Sequence, residues 1–588
     1  MGETGGSAAG LWRLARPYAQ VLIAAALLHA FLLREVLADP SNRLPGWPGD
    51  NLLFLWNLWW FATALRDGLN PLHCPMVHLP VGGDFGFHTN TLTYSALAGF
   101  LSVCTDDRSP EFLIAVYNGL LLFSSCATAI LLHVVVRCSL PGEGHEPARL
   151  VGTLAATYCS FRVFAFNGHM NFIGTEFFVA AALCLWLGLV QSPHRQPVSS
   201  TESRPDRPPI WPLGLGGIAA SLAFHNDQTI GVMVHLYILL LLGASWFSGV
   251  RMDRVVLRMA VFYTAFLLPT IPYAWHLFEV YRSPRYFVAS PGVERTHNLL
   301  NLVLPSSFNL LVGGLMERVR GSLGFAGGAG IANPGMLFWG LVCVAGWRWR
   351  GRWRVGWRTL PAPVRIHGLL IGAALVLSLG EWLEVGSLRL FPLPFWVLQR
   401  LPVLDSLRVS ERMFLLGLPS LVVLLAYGLE RLCLVRWQPA HWAVPVAAAL
   451  VALADSTHML PHTDVKGHLA ALRASDPPIE RGVTLDFPPS YDESWQCLHQ
   501  IVHGQPVLMG RLARTPPVVV ESAWADFWPL GNCVFLRQGC ESWGKDAPDV
   551  LDRLLKAHEV RWILVARAGY YEWIDVQDGD VLARLHPE

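Results

Sequence analysis

Long apolar runs separated by short polar connections dominate the first 458 residues. Runs of bilayer length, or close to it, lie at 18–38, 111–136, 149–167, 171–191, 210–224, 228–247, 255–278, 331–347, 363–383, 411–430 and 441–458. Roughly 20 apolar residues cross a hydrocarbon core as a helix. The pattern therefore predicts about 11 transmembrane helices. Two further apolar stretches, 51–65 and 92–104, are shorter and have polar flanks. They are expected as in-plane or re-entrant helices. The segment 384–410, with prolines at Pro392, Pro394 and Pro402, also reads as re-entrant.

After residue 458 the periodicity changes. Gly482 to Pro488 reads as a strand entering a turn, and Val518 to Val520 as a short strand. Asp549 to His558 reads as an amphipathic helix, with a buried strand after it from Trp562. No nucleotide-binding glycine loop occurs there. The predicted fold class is thus a polytopic α-helical membrane protein with a C-terminal extracytoplasmic α/β domain. The expected domains are 1–458 and 459–588.

Composition agrees with this division. Of 588 residues, 53% are hydrophobic and only 15% charged, far from a soluble average. The net charge of +1 gives no reason to expect nucleic acid. The three lysines, Lys466, Lys545 and Lys556, all follow residue 460. The first apolar run has the length of a full span and no small-residue cleavage site after it, so it is expected to stay as an uncleaved helix.

The arginines set the expected orientation. Arg13 and Arg16 precede span one. Arg137 and Arg149, then Arg195, Arg204 and Arg207, then Arg251, Arg254 and Arg258 follow alternate spans, as do the 348–358 cluster and Arg431 with Arg436. Arginine-rich connections stay cytoplasmic. The amino terminus is then inside. The first loop, 39–110, the loop 279–330 and the tail are outside, and the expected location is a bacterial inner membrane. Long loops of this kind are often lids or binding loops.

The eleven cysteines show no CxxC pair and no Cys/His metal spacing. Cys126, Cys138, Cys159 and Cys184 fall in or beside spans and read as apolar filler. Cys533 and Cys540 lie close enough in sequence to form a disulfide in an oxidising compartment.

Candidate chemistry begins at Asp50, in Pro48-Gly49-Asp50-Asn51, directly before a tryptophan-rich helix. A carboxylate at that lip is a candidate general base. Its structural alternative is a helix cap, and the two roles are compatible. At the next outer turns stand Asn167, His169 and Asn171, with Glu176 one turn on, and then His225, Asn226 and Asp227. As a ring around an outward cavity these groups would suit Mg²⁺ or Mn²⁺. The alternative for each is local turn chemistry.

Arg282, Arg285, Arg295, Arg389, Arg400, Arg408 and Arg412 lie on the expected outer side, with Asp405 and Glu411 among them. Arg408 and Arg412 are the candidates for phosphate, which a guanidinium grips with its planar fork. Salt bridging is the alternative. Glu381 and Glu384 read as interfacial carboxylates. Trp56, Trp59 and Trp60 read as an interfacial aromatic belt. His499 and His503 read as surface histidines.

Several stretches together resemble the GT-C superfamily of integral membrane glycosyltransferases, and more closely a bacterial branch of GT-C-like proteins. They are GDNLLFLWNLWW at 49–60, FNGHMNFIGTEF at 166–177, NLLNLVLPSSFNLL at 298–311 and LPVLDSLRVSERMFLL at 401–416, with TLDFPPS and HGQPVLMGRLAR in the tail. The resemblance implies a polyprenyl-phosphate-linked sugar donor, inversion at the anomeric carbon and an aspartate base in the first external loop, here Asp50. Many members keep a second acidic motif at the second turn, where this chain has His169 and Asn171.

The expected function is therefore transfer of a sugar to a cell-envelope acceptor. Asp50 is the base, and His169, Asn171, Glu176, His225, Asp227, Arg408 and Arg412 bind substrate. Two rivals share the topology. A flippase for a lipid-linked glycan would bring internal repeats and broken helices at mid-membrane, and no repeat is visible. A non-catalytic assembly protein would need Asp50 only as a cap.

Overall fold

The computed structural model describes residues 8–78, 82–85, 91–142, 145–191, 209–250, 254–282, 298–323, 332–348, 350, 353–401, 409–433, 440–458, 460–476, 478, 480–487, 493–508, 547–567, 570–578 and 581. The chain is mainly helical. Among the described residues, six helices are long and apolar enough to cross a membrane: Ala15–Leu32, Pro110–Ser139, Met170–Val190, Gln228–Phe247, Val255–Val280 and Ser410–Leu432. Leu92–Thr105, Met336–Arg348, Ala362–Ser378 and Ala443–Ser456 are shorter apolar helices.

The expected span at 149–167 is instead two helices, Glu146–Thr157 and Ser160–Ala165. Between them Cys159 is extended, and the carbonyl of Tyr158 accepts from the Ser456 hydroxyl at 2.9 Å. Arg149, expected in a cytoplasmic connection, lies in the first of these helices. It is buried and paired with Glu430 at 2.6 Å. The expected span at 363–383 ends at Ser378. An antiparallel hairpin follows, strands β4 (Trp382–Val385) and β5 (Leu388–Pro392), and then a short helix, Pro394–Leu398.

The bundle packs by direct helix contact. Trp211–Asn226 lies between Val255–Arg282 and Glu176–Leu185. Leu418–Cys433 packs on Glu146–Thr157 and Ala362–Ser378, and Ala8–Leu32 packs on Pro110–Ser139. The Val255–Arg282 helix has one wet or lipid-facing side, with Leu268, Ile271 and Trp275 exposed and Tyr273 buried.

The Asp50–Asp67 helix is the largest departure from expectation. Every residue from Asn51 to Ala64 is buried. Trp56, Trp59 and Trp60 therefore form no interfacial belt. They are core, and Trp56 and Trp60 are among the largest fully buried side chains. The helix packs on Leu92–Thr105 from one side and on Glu493–His503, from the tail, on another. A helix covered all round has no reason to be amphipathic. Its run of apolar residues therefore resembles that of a membrane segment.

The tail brings a three-stranded sheet, in which β7 (Val483–Phe487) runs parallel to β8 (Val560–Arg567), and β8 runs antiparallel to β9 (Tyr570–Asp575). The Ala547–Ala557 helix precedes β8, as expected. Val518 to Val520, Cys533 and Cys540 lie outside the described residues. A separate strand, His462–Asp464 (β6), pairs antiparallel with Arg43–Pro45 (β1), register Leu44 to Thr463. The tail is thus joined by backbone hydrogen bonds to the segment just before Asp50. His499 is not a surface residue: it is buried between Asp486, 3.1 Å from Nδ1, and Tyr571, 3.2 Å from Nε2. The His503 ring is also tucked inside, edge-on to Trp573, and its Nδ1 accepts from the Gln505 N–H.

Candidate functional site

Asp50 is the first residue of its helix, after an extended Gly49. The first backbone N–H groups of a helix have no partner within it, and the helix dipole favours a negative charge there. The carboxylate Oδ2 is 3.2 Å from His169 Nδ1, a side chain from another element. Exposures of 37% and 31% leave both groups within reach of a ligand.

His169 belongs to a tight turn between the Ser160–Ala165 helix and a single helical turn, Met170–Ile173. Its N–H donates to Ala165 O at 2.9 Å, and its ring lies against Phe164, centroids 5.7 Å apart. Two glycines bring this turn to Asp50. Gly168 has φ +109°, and a Cβ there would stand 3.1 Å from Asn51 N. Gly46 has φ +93°, and a Cβ there would stand 2.5 Å from the Asn167 carbonyl carbon. Only residues without a side chain permit both the conformation and the approach.

Asn171 and Asp227 form a second pair, with Asn171 Nδ2 donating to Asp227 Oδ2 at 2.5 Å. Asn226 Nδ2 donates to Asn171 O at 3.2 Å. The other Asp227 oxygen caps the Gln228–Phe247 helix, accepting from Thr229 N at 2.7 Å and Ile230 N at 3.3 Å. Both oxygens of this buried carboxylate are engaged, so the cap reading accounts for Asp227. His225 Nδ1 donates to Ser221 O at 2.7 Å, and its ring lies beside Tyr273.

A substrate-facing role was expected for Glu176, and the surroundings do not allow it. The side chain is buried, one oxygen accepting from Tyr94 OH and the other from Ser124 Oγ at 2.6 Å. Arg162 lies behind it, donating to Thr128 Oγ1 at 2.9 Å and Ile173 O at 3.3 Å. This cluster knits together the Leu92–Thr105, Pro110–Ser139, Ser160–Ala165, Met170–Ile173 and Glu176–Leu185 helices inside the bundle.

The expected ring of carboxylates and imidazoles is accordingly divided into an Asp50–His169 pair, an Asn171–Asp227 pair and a closed Glu176 cluster. Among the described residues no three His, Cys, Asp or Glu side chains gather as a metal site. The residues in place do not build the Mg²⁺ or Mn²⁺ ring.

The Arg412 guanidinium lies 4.1 Å above the Phe172 ring, which places a cation beside the His169–Asn171 turn. Arg408 lies outside the described residues. Sequence reading missed Tyr94, Ser124 and Arg162; an arginine inside an apolar stretch was a usable signal. It also missed Asp84, whose Oδ1 is 3.1 Å from His276 Nε2 and which ties the β2–β3 hairpin (His73–Cys74, Gly83–Asp84) to the Val255–Arg282 helix.

No protein family and no curated protein matches the sequence. Solved structures do. The Archaeoglobus fulgidus oligosaccharyltransferase in its apo form superposes with a TM-score of 0.55 at 12% identity, over 93% of this chain and 69% of that one. The same enzyme, tethered with an acceptor peptide containing the NVT sequon, gives 0.52 at 13%, over 93% and 68%. The arabinofuranosyltransferase AftD from Mycobacteria gives 0.54 at 15%, over 94% of this chain but 36% of that longer one. Identities this low speak for the fold. The chain has the GT-C fold that these membrane glycosyltransferases share.

Proposed function

We propose that this protein is a membrane glycosyltransferase that moves a sugar from a polyprenyl-phosphate-linked donor to a cell-envelope acceptor. The observation that carries the reading is the 3.2 Å contact between Asp50 and His169, solvent-reachable at a helix start in a GT-C fold. The archaeal neighbour's tethered peptide gives a precedent for an acceptor on such a scaffold.

In this reading the acceptor hydroxyl attacks the anomeric carbon from the face opposite the phosphate. The new C–O bond forms as the C–O bond to phosphate breaks, which inverts the centre. The polyprenyl phosphate leaves with the bonding electron pair, and the hydroxyl proton passes to the Asp50 carboxylate. General base catalysis of this kind contributes about 10²–10⁴-fold. His169 orients the carboxylate through Oδ2. Arg412, beside the same turn, supplies positive charge toward the departing phosphate, with Arg408 a second candidate. Asn171 supports the turn. The arginine pattern supports an inner-membrane protein with its amino terminus in the cytoplasm and the Asp50 end outside.

The test is mass spectrometry of envelope sugars in a deletion strain, complemented with wild type or Asp50→Asn at equal membrane abundance. A sugar that deletion removes and only wild type restores supports the reading and names the donor sugar. Full restoration by Asp50→Asn leaves Asp50 as a cap and removes the reading.

A further inference from the structure

We infer that the tail strand β6 belongs to the machinery that aims Asp50, with Thr463 and Asn51 as its positioning residues. The inference rests on the reading of Asp50 as the base.

Asn51 follows Asp50 and is fully buried. Its Oδ1 accepts from Gly49 N at 3.1 Å and from Leu52 N at 2.8 Å. Its Nδ2 donates to Pro45 O at 3.1 Å and to Thr463 Oγ1 at 3.0 Å. A primary amide has two donors and two acceptor sites, so Asn51 is saturated. It grips the backbone on both sides of Asp50 and ties it to a residue 412 positions away.

The direction of each proton is fixed. A threonine hydroxyl has one hydrogen. Thr463 directs it to Gly46 O at 2.8 Å and so accepts from Asn51. Gly46 in turn donates its N–H to Pro461 O at 2.7 Å. Gly46 therefore meets β6 and the residue just before it through both of its peptide groups. Gly46 is also the residue whose Cα abuts Asn167, two positions before His169, while Gly168 abuts Asn51. Both members of the Asp50–His169 pair thus hang from one clamp, and part of that clamp comes from the tail.

Removing the Thr463 hydroxyl takes away the 3.0 Å acceptor of one Asn51 N–H and the 2.8 Å donor to the Gly46 carbonyl, leaving these two groups only their own long contact of 3.5 Å. Stranded buried groups are expensive, and a small shift of the Pro45–Asn51 turn relieves them. That shift moves Asp50. A misplacement of about 1 Å costs on the order of a hundredfold in rate.

The experiment compares Thr463→Val, Thr463→Ser, Asp50→Asn and wild type in the deletion strain. Total envelope sugars released by acid hydrolysis are quantified by mass spectrometry. Membrane abundance and the melting temperature of each detergent-purified full-length protein are measured alongside. Expected is an about 10- to 100-fold fall in sugar formed per molecule for Thr463→Val, with recovery in Thr463→Ser and melting temperatures near wild type. If Thr463→Val fails to accumulate, Thr463→Ala, which leaves room for a bridging water, replaces it.

Wild-type sugar with either apolar variant, while Asp50→Asn abolishes it, overturns the clamp alone. A loss that merely follows abundance or melting temperature, or that Thr463→Ser does not repair, also overturns it, since β6 then only fastens the tail. Full sugar with Asp50→Asn overturns the reading of Asp50 itself, whatever Thr463 does.

Discussion

Trp56 donates its indole N–H to Gln500 Oε1 at 2.7 Å, and both side chains are buried although 444 positions separate them. Gln500 spends its own N–H groups on Met76 O at 2.8 Å and Gln505 O at 3.1 Å. One amide therefore joins the Asp50–Asp67 helix, the first loop and the tail. Trp56→Phe keeps most of the apolar bulk but leaves the Gln500 oxygen without its donor. The expected loss is about 1–3 kcal/mol, read as a lower melting temperature in detergent. A double-mutant cycle with Gln500→Leu should show the two losses to be non-additive; additive losses would mean that the bond contributes little.

Two glycines near the ends of this helix predict opposite tolerance. Gly46 and Gly68 both have positive φ, +93° and +67°. A Cβ at Gly46 meets backbone at 2.5 Å, whereas a Cβ at Gly68 meets nothing within 4 Å. Gly68→Ala should cost about 1 kcal/mol through the backbone alone. Gly46→Ala must also displace the Asn167 peptide, and should greatly reduce sugar formation along with stability. Equal melting temperatures for the two variants would contradict the close approach.

Acid should loosen the tail and the first loop. Burial holds His503 at about 4 against an ordinary 6.5, with the nearby His499 lowering it further and Asp486 opposing. Burial alone holds His78 at about 4. Each is depressed on folding, so between these values the unfolded chain binds more protons than the folded one. The stability they protect is fully present above pH 6.5 and is lost as pH falls toward 4. The melting temperature should drop across that interval. His503→Asn, which keeps an acceptor for the Gln505 N–H, should make the drop shallower. An unchanged acid slope would show that His503 does not contribute.

Arg473 meets Glu111 through two bonds, 2.6 and 2.8 Å, joining the tail to the start of the Pro110–Ser139 helix. The bond to Glu111 raises the Arg473 guanidinium above its ordinary value. Both groups are solvated, and such pairs contribute about 0–1 kcal/mol. Arg473→Gln should therefore move the melting temperature only slightly, and less at high salt. A large shift would mark this contact as a main fastening of the tail.

Much of the site was visible as sequence. Asp50 stands beside Gly49 at the start of a helix, and His169 lies in a turn rich in asparagine and glycine, signals that need no tertiary context. Glu176 and Asp227 were read as facing a ligand because nothing in their neighbours says otherwise. Their partners Tyr94 and Ser124, and Asn171, arrive from elements far away in the chain, whereas the Thr229 N–H that Asp227 caps is only two positions on. Thr463 carried no signal at all, since a threonine in a short polar strand is commonplace.

The features legible in the residues alone were local or additive: a helical membrane architecture from the sum of apolar runs, a change of character after residue 458, and an acid at a helix start. Burial was not among them, because apolar periodicity cannot tell lipid from protein as a neighbour. Only the folded chain shows that Trp56 and Trp60 are core, that the expected span at 149–167 is two helices, and that Asp50 meets His169. Each depends on two segments reaching the same point in space, and hydrogen-bond direction and steric room are settled only there.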